Sequence, residues 1–206
     1  MYRLSLIIVF LFSQVLFSQS SSSLQINGGF ISKRMSSLGL NTSVQYNHKI
    51  DEGLELYGYF GYAAWDLYNI TIEYNQIYYK CPVEDSHDLV SVFSGVRKYF
   101  KQTSWFEPFL EIEVGYLYLT YNSYKYFRAS NTGNQVGFYP DYGSLKVNFE
   151  HLFGVGLGAG IIHTMSGGLS IVFAYKLNTY INKNYNGFFS KRGTFSLFNV
   201  GFNYKI

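Results

Sequence analysis

From about residue 24 to the C-terminus, apolar residues recur at every second position, and a period of two admits strands and little else. Leu38, Leu40, Thr42, Val44 and Tyr46 share one face, opposite Gly39, Asn41, Ser43, Gln45 and Asn47. Leu110, Ile112, Val114, Tyr116 and Tyr118 oppose Glu111, Glu113 and Gly115. Leu169, Ile171, Phe173, Tyr175 and Leu177 face away from Ser170, Ala174, Lys176 and Asn178. The closing stretch sets Phe198, Val200, Phe202, Tyr204 and Ile206 against Asn199, Gly201, Asn203 and Lys205. No helical stripe interrupts the pattern. Such runs predict eight strands, at about 24–33, 38–49, 54–68, 87–100, 106–122, 144–162, 168–180 and 193–206.

Eight alternating strands suit a soluble lipocalin-like barrel, apolar inside, or a membrane barrel, apolar outside. Charge decides in favour of the membrane: Asp, Glu, Lys and Arg are 14% of the 206 residues, where a soluble domain carries about 25%. Aromatics are 20%, and they gather near predicted strand ends, where rings suit the boundary of hydrocarbon and headgroups. That girdle is expected to hold Tyr46, Tyr57, Tyr59, Tyr99, Phe100, Trp105, Phe106, Tyr116, Tyr118, Tyr175 and Tyr204. The connections alternate too. Those near Asp51-Glu52-Gly53, 101–105 and 164–167 are short, whereas 69–86, 123–143 and 181–192 are long; Arg34-Met35-Ser36-Ser37 is the short exception among the upper loops. The expected fold is therefore all-β: an eight-stranded antiparallel transmembrane up-and-down barrel, with short periplasmic turns and longer extracellular loops.

The N-terminus carries Arg3, an apolar run from Leu4 to Phe12, then Val15-Leu16-Phe17 and small polar residues from Ser18. A basic start, an apolar core and a small-residue exit make a secretory signal peptide over 1–20, leaving 21–206 as the barrel domain. Ser13 and Gln14 break the run short of the ~20 apolar residues that a spanning helix needs. One cysteine excludes an internal disulfide framework and any cysteine-cluster metal site. A net charge of +3 is too mild for a nucleic-acid partner.

The stretch Gly95-Val96-Arg97-Lys98-Tyr99-Phe100, leading by a short turn into Phe106-Glu107-Pro108-Phe109-Leu110-Glu111, resembles a hairpin of the small eight-stranded outer-membrane β-barrel family, which includes adhesion and invasion barrels and porin-like proteins. Gly154-Val155-Gly156-Leu157-Gly158-Ala159-Gly160, followed by Leu169 to Leu177, is similar to the next hairpin of that family. The final strand, through Phe202, Tyr204 and Ile206, resembles the C-terminal signal read by the barrel-assembly machinery, departing from it in ending on Ile206 instead of Phe. The resemblance implies outer-membrane lipid and that machinery as partners.

Parity sends Glu55, Arg97, Glu111, Glu113, Lys146, Glu150, Lys176 and Lys205 into the lumen. Opposite charges there must pair, because a buried unpaired charge costs several kcal/mol; Arg97 and Glu111 are expected about one diagonal apart across their hairpin. Such a set forms a salt-bridged plug or, less readily, lines a narrow porin-like conduit. Gly154-x-Gly156-x-x-Ala159 superficially fits a dinucleotide fingerprint, but that motif needs a helix after the strand. Here the glycines fall every second residue in one strand and give room to large side chains opposite. No cofactor is expected.

A lipid A-modifying barrel enzyme would need a serine or carboxylate beside an outer-rim histidine. Of His48, His87, His151 and His163, His87 is nearest to that requirement, flanked by Ser86 and Asp88, but strand neighbours point to opposite faces. Neither a catalytic nor a metal site is expected. Residues 66–81 go on alternating past membrane height, predicting a hairpin that projects from the cell with Asn75-Gln76 near its tip. Tyr68, Tyr74, Tyr78, Tyr79, Tyr126, Arg128 and Tyr139 are the candidate recognition residues for a surface or host ligand, since Tyr and Arg are frequent binding hot spots. The expected role is structural membership of the envelope, recognition through these loops, or both.

Overall fold

A computed structural model of the chain describes residues 22–33, 37–100, 105–130, 136–181 and 193–206; the leader expected over 1–20 lies outside the described residues. Alternation turns each strand's polar side one way and its apolar side the other, and the eight strands close into a ring on that basis. They are β1 (Ser22–Lys33), β2 (Ser37–Asp51), β3 (Leu54–Tyr74), β4 (Ile77–Tyr99), β5 (Glu107–Ser130), β6 (Val136–Thr164), β7 (Leu169–Ile181) and β8 (Thr194–Lys205). Every neighbour is antiparallel, in chain order, and β8 pairs back onto β1.

The stagger of the ring can be followed residue by residue. From Leu24 the pairing runs through Tyr46, Gly58, Ser94, Val114, Val155 and Thr179 to Thr194. Leu24 itself pairs with Tyr204, ten residues further along β8. With a shear of ten over eight strands, a rise of about 3.3 Å and a spacing of about 4.8 Å, the strands tilt by about 40°. The twelve steps from Asp88 to Phe100 then span about 30 Å of height, the thickness of a hydrocarbon core.

The inside and outside are those of a membrane barrel. Outward residues such as Ile112, Leu157, Phe60 and Phe202 are 57–64% exposed, while Gln25, Gln45, Asn47 and Asn178 are at most 2% exposed in the lumen. A soluble barrel would reverse these figures. Phe100, Trp105, Phe106 and Tyr204 are exposed at the end with the short turns. At the other end Tyr62 donates to Asp88 and Tyr116 bonds His151, so polar groups first face outward there. Three girdle assignments are corrected: Tyr57, Tyr59 and Tyr99 are buried in the lumen. They share strand parity with Glu55 and Arg97 and so share their face.

The strands overrun the predicted ends. The hairpin expected over 66–81 is present, and the long connection expected over 123–143 is for the most part strand as well, so β3–β4 and β5–β6 are both long hairpins that continue beyond the ring. The β3–β4 tip is the two-residue turn Asn75-Gln76, both with positive φ (49° and 63°), the twist-matched hairpin geometry.

Inside the ring, large residues lie across glycines along the hydrogen-bonded rows. Tyr57, Gly95, Glu113, Gly156 and Asn178 form one row; Arg97, Glu111, Gly158 and Lys176 form the next. A β-carbon on Gly156 would overlap Asn178 Oδ1 and stand 2.8 Å from Glu113 Cγ. Gly156→Ala is therefore expected to destabilise the barrel by about 1–3 kcal/mol, whereas Gly28→Ala, with nothing within 4 Å, is not. The urea midpoint of the heat-modifiable band of each variant in detergent checks this contrast.

Candidate functional site

The register brings five of the eight predicted lumen charges together. Glu55, Arg97 and Glu111 are direct cross-strand partners on β3, β4 and β5, so the expected diagonal between Arg97 and Glu111 is in fact a facing pair. Arg97 Nε and Nη2 both donate to Glu111 Oε2, at 3.0 and 2.9 Å, and Nη1 donates to Glu55 Oε1 at 3.1 Å. Lys176 reaches Glu111 Oε1 at 3.2 Å and Glu113 Oε2 at 2.7 Å. Gly158 lies between Glu111 and Lys176 in the row; a β-carbon there would be 2.7 Å from Glu111.

Tyrosines complete the set. Tyr57 and Tyr59 donate to the two oxygens of Glu113 at 2.8 and 3.0 Å, Asn178 Nδ2 adds a third bond at 2.9 Å, and Tyr99 donates to Glu55 at 3.0 Å. The cations also lie over rings: Arg97 at 4.2 Å from the Phe109 centroid and Lys176 at 4.5 Å from that of Tyr59. Each ion is thus both paired and hydrogen-bonded, which a buried charge requires. The opposite wall, on β1, β2 and β8, carries amides instead. Gln25 donates to Asn27, Asn27 to Ser43, Gln45 to Asn47, and Asn47 to Ser23 and Asn203.

Toward the hairpin end the lumen turns apolar. Ile31, Ala63, Leu89, Leu117, Leu119, Leu152, Phe195 and Leu197 form one buried cluster with Phe93 and Trp65. At its top the His87 ring stacks between Trp65 (5.2 Å) and Tyr121 (5.7 Å), and Tyr121 donates to Glu150 at 2.9 Å. Below the ions, at the short-turn end, a vestibule of about 210 Å³ is lined by Lys49, Glu55, Tyr99, Glu107, Ser170 and Lys205, among others.

The remaining predicted residues are placed as follows. Lys146 and Lys205 are exposed, not members of the ionic cluster. Both have inward parity, but Lys146 lies on the part of β6 beyond the ring and Lys205 ends β8 at the mouth. Phe202 and Tyr204 face outward, and the Ile206 amide donates to the Ser22 carbonyl. Tyr74, Tyr78 and Tyr139 are exposed on the two hairpins, and Tyr79 and Tyr126 are half-buried between them. The side chains of Tyr68 and Arg128 lie outside the described residues.

Sequence reasoning missed what joins the hairpins. Phe138 of β6 packs on Tyr74 (5.6 Å) and Tyr79 (5.1 Å). With Cys81, Tyr124 and Tyr126 it makes a separate cluster. Cys81, the single cysteine of the chain, is wholly buried there, and burial pushes its thiol above the ordinary range. Its position in a β-type alternation through Tyr79 and Cys81 was the available signal.

No protein-family model and no curated protein matches the chain. Solved structures do. Neisserial surface protein A (NspA) aligns over 92% of this chain and 98% of its own at 14% identity and TM-score 0.55. A major outer membrane protein from Thermus thermophilus aligns over 92% and 100% at 12% identity and TM-score 0.52. The attachment invasion locus protein Ail of Yersinia pestis aligns over 91% and 97% at 12% identity and TM-score 0.49. The fold is that of small eight-stranded outer-membrane β-barrels.

Arg97→Met strands the buried Glu55 carboxylate and leaves Glu111 with Lys176 as its one cation, and is expected to cost about 3–5 kcal/mol. The triple variant Glu55→Gln, Arg97→Met, Glu111→Gln should recover most of that loss, read as the urea midpoint in detergent micelles.

Proposed function

We propose that the protein is a non-enzymatic integral barrel of the bacterial outer membrane that presents its β3–β4 and β5–β6 hairpins for recognition at the cell surface. The observation that carries this reading is the length of those hairpins and their mutual packing. They continue past the upper polar boundary and share the Phe138–Cys81 cluster, so they form one preorganised platform. Tyr78, Phe127 and Tyr142 are 70%, 52% and 65% exposed on it, supplying rigid aromatic contact area.

Two alternatives are less well supported. A porin-like conduit needs a polar path, yet the outer half of the lumen holds a buried cluster of Leu, Phe, Ile and Trp above an ion-paired row. A lipid A-modifying enzyme needs a nucleophile beside a membrane-facing histidine. His87 is buried inside the ring, and outward His151 is bonded to a tyrosine. Export through residues 1–20 and insertion through Phe202, Tyr204 and Ile206 by the barrel-assembly machinery belong to the same reading.

Replacing residues 69–80 by an Asn-Gly turn tests it. Cells displaying the protein are scored for attachment to protein-coated and polysaccharide-coated surfaces. The expected result is at least a tenfold loss of attachment with heat-modifiable gel mobility retained. Attachment that is the same with and without the hairpin would overturn the proposal.

A further inference from the structure

The β3–β4 hairpin leaves one long sheet edge open. Pairing of β2 with β3 ends at Leu40–Ala64, while β3 continues to Tyr74. Among the described residues no strand pairs with the far side of β3 from Asp66 to Tyr74, a length of about 26 Å at strand rise, broken by a register shift between Tyr68 and Ile70 that leaves Ile70 to Tyr74 as its regular part. The β1–β2 connection is only three residues, 34–36, between Lys33 and Ser37.

The hydrogen-bonding direction along this edge follows from the turn. A two-residue turn makes its flanking residues, Tyr74 and Ile77, a hydrogen-bonded pair. Tyr74 and Ile72 therefore direct their N–H and C=O groups to β4, and Thr71 and Glu73 direct theirs to the open edge. Sheet edges are ordinarily guarded by Lys, Pro or a covering element. The β4 strand carries both guards, Lys80 and Pro82, and its hairpin packs on β5–β6. By contrast Tyr68-Asn69-Ile70-Thr71-Ile72-Glu73-Tyr74 has no Pro, no Gly and a single charge, the composition of a segment that readily pairs with another strand.

Resting on the surface-recognition reading above, we propose that the outer edge of β3 between Asp66 and Tyr74 captures an extended segment of a separate, non-membrane protein as an added strand. A second copy of this chain fits less well. Two copies in one membrane are related by an axis along the membrane normal, so their β3 strands would run the same way and pair parallel, the weaker arrangement. A free polypeptide approaching from outside can add antiparallel, with main-chain bonds giving the affinity.

The probes are twelve-residue peptides selected by phage display against the folded barrel in nanodiscs, then synthesised with and without N-methylation at alternate residues. Three proteins receive them: wild type, Thr71→Pro, and the barrel whose residues 69–80 are replaced by Asn-Gly. Thr71→Pro removes an edge N–H and leaves the β4 ladder its bonds; amide hydrogen exchange of β4 verifies that ladder. The expected result is binding to wild type that falls at least tenfold with Thr71→Pro, with hairpin excision, and with N-methylation of one alternate set. Peptides that bind Thr71→Pro as well as wild type, yet lose the excised barrel, would overturn the edge while leaving recognition by the hairpin standing. Peptides recovered only with equal affinity for the excised barrel, or none recovered at all, would overturn both.

Discussion

The row Glu55–Arg97–Glu111–Gly158–Lys176 is the constraint on which the rest of the barrel depends. It ties five successive strands through side chains that face one another in register. Desolvating these charges is costly, and removing one partner costs more than the whole set is worth. The row therefore does more to fix register than to add stability. A slip of one residue in β4 or β5 would point Arg97 or Glu111 into lipid and leave its partner alone. Gly156, Gly158 and Gly160 of β6 accompany the row, since Glu113, Glu111 and Phe109 occupy the space their side chains would take.

With the lower lumen held by ions and amides and the upper lumen packed with Leu, Phe and Trp, the interior acts as a solid core. On the proposed reading that rigidity serves recognition outside. The hairpins are continuations of strands anchored in the ring, so their geometry is set by β3 to β6 and not by loop chemistry. The cluster of Phe138, Cys81, Tyr79, Tyr124 and Tyr126 then fixes one hairpin against the other, and a fixed surface loses little entropy on binding.

Most of the fold was legible because it depends on parity, which a sequence displays directly. Leu38 to Tyr46 and Phe198 to Ile206 show their outward faces at once, and the same reading placed Glu55, Arg97, Glu111, Glu113 and Lys176 inside. Tyr57, Tyr59 and Tyr99 lie near strand ends, which suggests the girdle, but parity puts them inside. The face they share with Glu55 and Arg97 was the better guide. Lys146 shows the converse limit: its parity is inward, but β6 has by then left the ring, and how far a strand overruns the membrane depends on its partner. The inter-hairpin cluster was least legible of all, since alternation marks Tyr79 and Cys81 as one face of β4 but does not say that Phe138 of β6 packs against it.

The central claim is that this lumen is closed. Wild-type protein reconstituted into planar bilayers tests it most directly, recorded beside the triple variant Glu55→Gln, Arg97→Met, Glu111→Gln. No discrete single-channel steps are expected from either, because the apolar layer of Leu89, Leu117, Leu119, Leu152 and Phe195 stands above the ionic row in both. Reproducible conductance steps from the wild-type barrel would contradict it.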